Sequence, residues 1–185
     1  MQRKAEERFE CSIQILNWCP MMRAGRCKLT DSIRVIFLDI DGVLNSAVYD
    51  RERTDKDGNI DVSRLVLLKQ IVDAANAQIV LSSSWREHWE PEDEKCDQIG
   101  KELNCVFRGA GLCIADKTPM TGSRQKEISS WLDAHPYTAD YVILDDAFGG
   151  WGDLEPHLVK TNSRIGRGLE DRHVEAAVKI LNRII

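Results

Sequence analysis

The residues able to do chemistry in this 185-residue chain fall into four clusters, and the first is Asp39-Ile40-Asp41-Gly42, directly after the apolar residues 35–38. Two carboxylates two positions apart repel unless a cation lies between them or one stays protonated. The first solution is a divalent-metal site with a nucleophile, the second an acid/base pair. A solvated turn is the plain alternative, and this segment alone does not choose. Ser82-Ser83-Ser84 follows a second apolar run at 78–81, and hydroxyls with neighbouring amides suit phosphate oxygens. Arg124 and Lys126 supply cations further on, and Asp145-Asp146 ends a third run at 140–144. Carboxylates are the hard oxygen ligands that Mg²⁺ prefers, with waters and substrate phosphate completing its shell.

The elements that must position these clusters follow from periodicity. Each short apolar run rich in β-branched residues reads as a buried parallel strand. Residues 61–76 read as an amphipathic helix capped by Asp61 or Ser63, with Leu65, Leu68, Ile71, Val72 and Ala75 on one face. Strand, helix and strand in that order predict a parallel pair with a right-handed crossover. Residues 124–134 read as a helix, 157–160 as a fourth short strand and 169–184 as a final helix. Between them, residues 87–123 are irregular, with a helix expected from Pro91 to Leu103, one short strand within 106–114 and a loop at 118–122. Residues 45–61 read as a polar loop. The alternation predicts an α/β fold, a doubly wound parallel sheet with helices on both faces. Ligands in such sheets bind beyond the carboxyl ends of the strands, where all the strand-end clusters would meet.

The expected organisation is one domain over residues 31–185 with a small insertion at about 87–122. Residues 1–30 are expected to be a poorly ordered extension. Their apolar stretch is too short and polar for a signal peptide, and Glu6, Glu7 and Glu10 do not suit an organelle presequence. A formal net charge of −5 disfavours non-specific attraction to a nucleic-acid backbone. No apolar run approaches the roughly 20 residues of a membrane span. The six cysteines form no CxxC pair and match no zinc template, so a reducing, cytoplasmic compartment is expected. His88, His135, His157 and His173 share no metal-ligand spacing. Oligomeric state cannot be read from these features.

Acid, hydroxyl, base and acid pair, in that order, resemble the four motifs of the haloacid dehalogenase-like (HAD) phosphohydrolase superfamily, from about residue 33 to the C-terminus. Residues Leu81-Ser82-Ser83-Ser84-Trp85-Arg86, the Glu127-Ile128-x-x-Trp131-Leu132 segment, Ile143-Leu144-Asp145-Asp146, and Leu158-Val159-Lys160-Thr161-Asn162 with Gly168-Leu169 resemble more narrowly the HAD domains of Swiss Army Knife RNA repair proteins. The resemblance implies a Rossmann-like fold with minimal or no cap. It implies Asp39 as the nucleophile forming an aspartyl-phosphate and Asp41 as the acid/base. It also implies Mg²⁺ held by Asp39, the backbone carbonyl of Asp41 and Asp146, with Asp145 assisting. Ser82, the following amide of Ser83 and the Gly42 turn would bind phosphate oxygens. Lys126 is the favoured third-motif cation, with Arg124 as the alternative.

Arg86 could grip phosphate or pair with Glu87 and Glu90, and Trp85 and Trp89 could form a packed face or an aromatic platform. The expected substrate is a bulky phosphomonoester such as the 3′-phosphate end of an RNA or DNA strand. A small metabolite or nucleotide is the alternative, and a non-catalytic phosphate- or Mg²⁺-binding domain a further one.

Overall fold

The computed structural model describes residues 33–54, 58–147 and 149–183. The extension expected at 1–30 lies outside these residues. Five strands, β1 (Ile33–Leu38), β2 (Ala77–Leu81), β3 (Ile114–Lys117), β4 (Thr138–Asp145) and β5 (Leu158–Lys160), form one parallel sheet in the order β3-β2-β1-β4-β5. Five helices accompany them: α1 (Ala47–Glu52), α2 (Val62–Ala75), α3 (Gln98–Gly109), α4 (Arg124–Ala134) and α5 (Asp171–Leu181). The expected α/β fold is therefore present, a parallel sheet flanked by helices.

Side-chain alternation along β1 explains the layers. Ile36 and Leu38 pack with Leu68 and Ile71 of α2, Leu103 and Phe107 of α3, and Ala177 and Leu181 of α5. Val35 and Phe37 face the other way, onto Ile128 and Trp131 of α4. Phe37 meets the Trp131 ring edge-on at 5.3 Å, a favoured aromatic geometry. Residues buried on both faces explain why the strands read as continuous apolar runs rather than alternating ones.

Register does the functional work of the sheet. Leu38 of β1 lies level with Leu81 of β2 and Leu144 of β4. The next residues, Asp39, Ser82 and Asp145, therefore leave the sheet side by side. Hydrogen bonds continue past the strand ends, from Ser82 N to Leu38 O at 2.8 Å and from Asp39 N to Leu144 O at 3.0 Å.

Two expectations between the strands need correction. The helix expected from Pro91 to Leu103 is instead α3, starting at Gln98 and running to Gly109, preceded by a single 3₁₀ turn at Asp93–Lys95. Asp97 caps it by accepting from the amides of Ile99 at 2.9 Å and Gly100 at 3.0 Å. Of the acids that suggested an earlier start, Asp93 pairs with Arg108 at 2.6 Å and accepts from Asn104 at 2.7 Å. Residues 106–109 are thus helical, and the short strand forms later, at β3. The polar stretch expected as a loop after β1 contains α1, capped by Ser46, whose hydroxyl accepts from Tyr49 N at 3.1 Å. No helix among the described residues is long and apolar enough to cross a membrane.

The segment between β5 and α5 folds back onto the turn after β1. Thr161 Oγ1 donates to Gly42 O at 2.8 Å, and Leu169 N to Val43 O at 2.8 Å. Gly168 has φ +81°, and a Cβ there would overlap the Val43 carbonyl. Gly168→Ala should therefore destabilise by about 1–3 kcal/mol in denaturant unfolding. Unchanged stability would show that this clamp does not hold the turn.

Candidate functional site

At the carboxyl edge of the sheet, carboxylate oxygens of Asp39, Asp145 and Asp146 lie within 4.8 Å of one another. Asp39 is 8% exposed and Asp145 only 1%. Arg124, the first residue of α4, reaches into this group. Its Nη1 lies 3.2 Å from Asp145 Oδ2, 3.5 Å from Asp39 Oδ1 and 3.5 Å from Ser82 Oγ.

Burial pushes the Asp39 carboxyl up to about 7; Arg124 opposes the rise and the charge of Asp145 adds to it. Burial also raises Asp145, again opposed by Arg124. One guanidinium thus leaves three crowded carboxylates incompletely balanced. A hard divalent cation fits this set, because the donors are all carboxylate oxygens on one edge.

Asp41 is held apart from that group. Gly42, with φ +79°, makes the turn between them, and a Cβ there would overlap the Asp146 carboxylate. Only glycine lets Asp146 sit against this turn. Asn45 locks it from inside, accepting from Gly42 N at 2.9 Å while its Nδ2 donates to Asp41 Oδ1 at 2.9 Å. The indole Nε1 of Trp85 donates to Asp41 Oδ2 at 3.0 Å. Asp41 is thereby fixed in the wall of a cleft of about 420 Å³. Its side chain lies outside the three-carboxylate group, so only its backbone carbonyl remains for the metal role expected of it.

The cation expectation resolves differently from the preference for Lys126. Residues two apart on a helix point about 200° from each other. With Arg124 turned into the site, Lys126 lies on the exposed side of α4. Arg86 pairs with Glu127 rather than with Glu87 or Glu90, close enough to the cluster to feel the charges of Asp39 and Arg124. It is buried, with Nη2 2.7 Å from Glu127 Oε2 and Nη1 donating to Ser83 O at 2.8 Å. Glu127 Oε1 accepts from the amides of Thr121 at 2.8 Å and Gly122 at 3.0 Å. This buried pair therefore ties the serine loop to the loop before α4.

Ser82 and Ser83 are buried, and the Ser83 side chain hydrogen-bonds Asp39. Trp89 is core, its Nε1 donating to Asn104 Oδ1 at 2.8 Å, whereas half-buried Trp85 lines the cleft. Asn45, Glu127 and Thr161 were not singled out for a role by residue type alone. For Asn45 the signal was its place four residues after Asp41.

Two outcomes follow. Glu127→Ala leaves the Arg86 charge buried without its partner and should cost about 3–5 kcal/mol in denaturant unfolding. The double change Arg86→Met with Glu127→Leu should cost less than the two single truncations added together. Asp39 sets a pH dependence. Its native carboxyl binds a proton more tightly than in the unfolded chain, so its contribution is present below about pH 4 and is lost as pH rises towards 7. Metal-free wild type should therefore lose stability relative to Asp39→Asn across that window, on the order of 1 kcal/mol per pH unit. A divalent cation should reverse the loss at neutral pH. A constant difference from pH 4 to 7 would contradict the burial of Asp39 beside Asp145.

Comparison with known proteins bears on this arrangement. The family described as the HAD domain in Swiss Army Knife RNA repair proteins matches residues 35–174. Comparison with curated proteins gave no match. The matched span runs from β1 into α5 and contains Asp39, Asp41, Ser82, Arg124, Asp145 and Asp146. The chain belongs to the family of HAD domains found in Swiss Army Knife RNA repair proteins.

Proposed function

We propose that the domain is a Mg²⁺-dependent phosphohydrolase that cleaves phosphomonoesters through an aspartyl-phosphate on Asp39. The observation that carries this reading is the separation of two kinds of acid at one strand end. Asp39 lies among the buried carboxylates beside Arg124, while Asp41 is held two residues on in the wall of an open cleft.

The chemistry assigns each side chain one task. An Asp39 oxygen attacks phosphorus, the bond from phosphorus to the ester oxygen breaks, and Asp41 gives its proton to the departing alkoxide. Asp41 then takes a proton from water as that water attacks phosphorus, which frees phosphate and restores Asp39. Mg²⁺ held by Asp39, Asp145, Asp146 and the Asp41 carbonyl would supply charge that keeps Asp39 ionised and balances the phosphate. Arg124 neutralises developing charge on the transferring group, and Ser82 with the Ser83 amide holds its oxygens. Asn45 and Trp85 fix the Asp41 carboxyl at the wall of the cleft.

The substrate we favour is a bulky phosphomonoester such as a nucleic-acid 3′-phosphate end, supported by the family and by the open cleft beside Asp41. A small phosphorylated metabolite or nucleotide is the second reading, favoured by the net charge of −5. The cysteine pattern supports a cytoplasmic setting.

With p-nitrophenyl phosphate, wild type should release phosphate only with a divalent metal. Asp39→Asn should abolish turnover, and Asp41→Asn should lower kcat by about 10²–10⁴. Arg124→Ala should lower it by about 10²–10³, whereas Lys126→Ala, on the exposed side of α4, should stay within about twofold. Absence of turnover in wild type with any divalent metal would reject the enzymatic reading.

A further inference from the structure

We infer that the cleft beside Asp41 binds the leaving group as a single nucleoside, one base with its sugar, and makes no use of further phosphates along a chain. The inference rests on the phosphohydrolase reading for its orientation. The wall of the cleft contains Asp41 but none of Asp39, Asp145 and Asp146. With phosphorus at the carboxylate cluster and the leaving oxygen at Asp41, the remainder of the leaving group extends into this cleft. It is an open cleft of about 420 Å³, wide enough to admit one nucleoside.

The lining specifies what fits. Trp85, anchored through Nε1 to Asp41 and packed in part against the core, lines the cleft together with Ile99, an apolar residue 37% exposed. A flat aromatic wall accepts any base by stacking, worth about 1–3 kcal/mol per base. Glu87 adds a carboxylate to the same wall, and Asp50 and Asn59 add oxygens that they share with Arg53. Carboxylates at such positions accept hydrogen bonds from sugar hydroxyls, as acidic residues do for ribose.

Charge then excludes a longer polyanion from the cleft. Among the described residues that line it there is neither Lys nor Arg, while Asp41, Asp50 and Glu87 are acidic. Arg53, outside the lining, pairs with Asp50 at 3.1 Å. Affinity for a nucleic-acid backbone comes from cations that neutralise successive phosphates, and among the described lining residues only His88, itself paired with Asp97, is basic. A free mononucleotide and the terminal nucleotide of a strand present the same nucleoside, so affinity should be set by that unit in both.

Calorimetry on Mg²⁺-loaded Asp39→Asn separates these possibilities. The ligands are adenosine 3′-monophosphate, glycerol 2-phosphate and a 3′-phosphorylated RNA hexamer, each at about 50 and 200 mM salt. The mononucleotide should bind roughly tenfold or more tighter than glycerol phosphate. The hexamer should stay within about threefold of the mononucleotide, with a shallow salt dependence. Trp85→Leu in the same background should remove most of the preference, and Ile99→Ala, which leaves the Asp41 hydrogen bond intact, should reduce it several-fold. Equal binding of mononucleotide and glycerol phosphate would overturn the inference. So would a hexamer that binds far tighter with a steep salt slope, because that is recognition of a chain. Turnover of p-nitrophenyl phosphate by wild type reports separately on the phosphohydrolase reading. Loss of turnover with the nucleoside preference intact rejects that reading alone, and turnover without the preference rejects the nucleoside cleft alone.

Discussion

Like-charge crowding at one edge of the sheet is the constraint around which the rest of the domain is arranged. Asp39, Asp145 and Asp146 bring carboxylate oxygens within 4.8 Å of one another, two of the residues are buried, and Arg124 balances only part of the charge. Burial pushes Asp39 up to about 7, Arg124 opposes the rise, and the charge of Asp145 adds to it. A core optimised for stability alone would not place its acids there; sites that perform chemistry commonly accept such a cost. The same crowding that disfavours the metal-free state makes the edge receptive to a divalent cation.

The surrounding structure keeps those acids from moving apart. The level register of β1, β2 and β4 brings Asp39, Ser82 and Asp145 out side by side. Gly42 admits the Asp146 carboxylate, while Thr161 and Leu169 bond the carbonyls of Gly42 and Val43. On the α4 side the buried Arg86–Glu127 pair holds the serine loop and the loop at 121–122 together. Within this frame Asp39 and Asp41, two residues apart, face different surroundings. Asp39 is buried among charges, whereas Asp41 is gripped at both oxygens by Asn45 and Trp85 at the cleft. In the proposed reaction this difference in environment, rather than in residue type, would divide their labour.

Much of this was legible from the chain alone because the strands are short, apolar and followed by polar clusters. Burial on both faces produces such runs, and parallel order brings their ends together. α4 was read at its observed bounds, and its cation could have been chosen with one further step. Arg124, Ile128 and Trp131 follow i, i+4, i+7 spacing and share the face packed on the sheet, whereas Lys126 does not. The start of α3 misled because acids at 92–94 resemble a first turn, yet Asp97 offers a carboxylate to two amides at once. Arg86 reads in the sequence as a phosphate grip or a partner of Glu87 and Glu90, because its actual partner Glu127 lies 41 positions away. The spacing of Trp85 and Trp89, four apart, suggests one packed face or one aromatic platform. The 3₁₀ turn Ser84–Glu87 ends between them and sends one to the cleft and the other to the core.

In the proposed reaction Asp39 carries the phosphoryl group between two displacements while Asp41 only moves protons. This division is tested most directly by mass spectrometry of protein mixed with excess phosphomonoester and Mg²⁺, then quenched in acid within the first turnover and digested. The account predicts a phosphoryl group on the peptide containing Asp39, located on that residue and absent from Asp39→Asn. Turnover in wild type with that peptide unmodified, or with the group on any other residue, would contradict it.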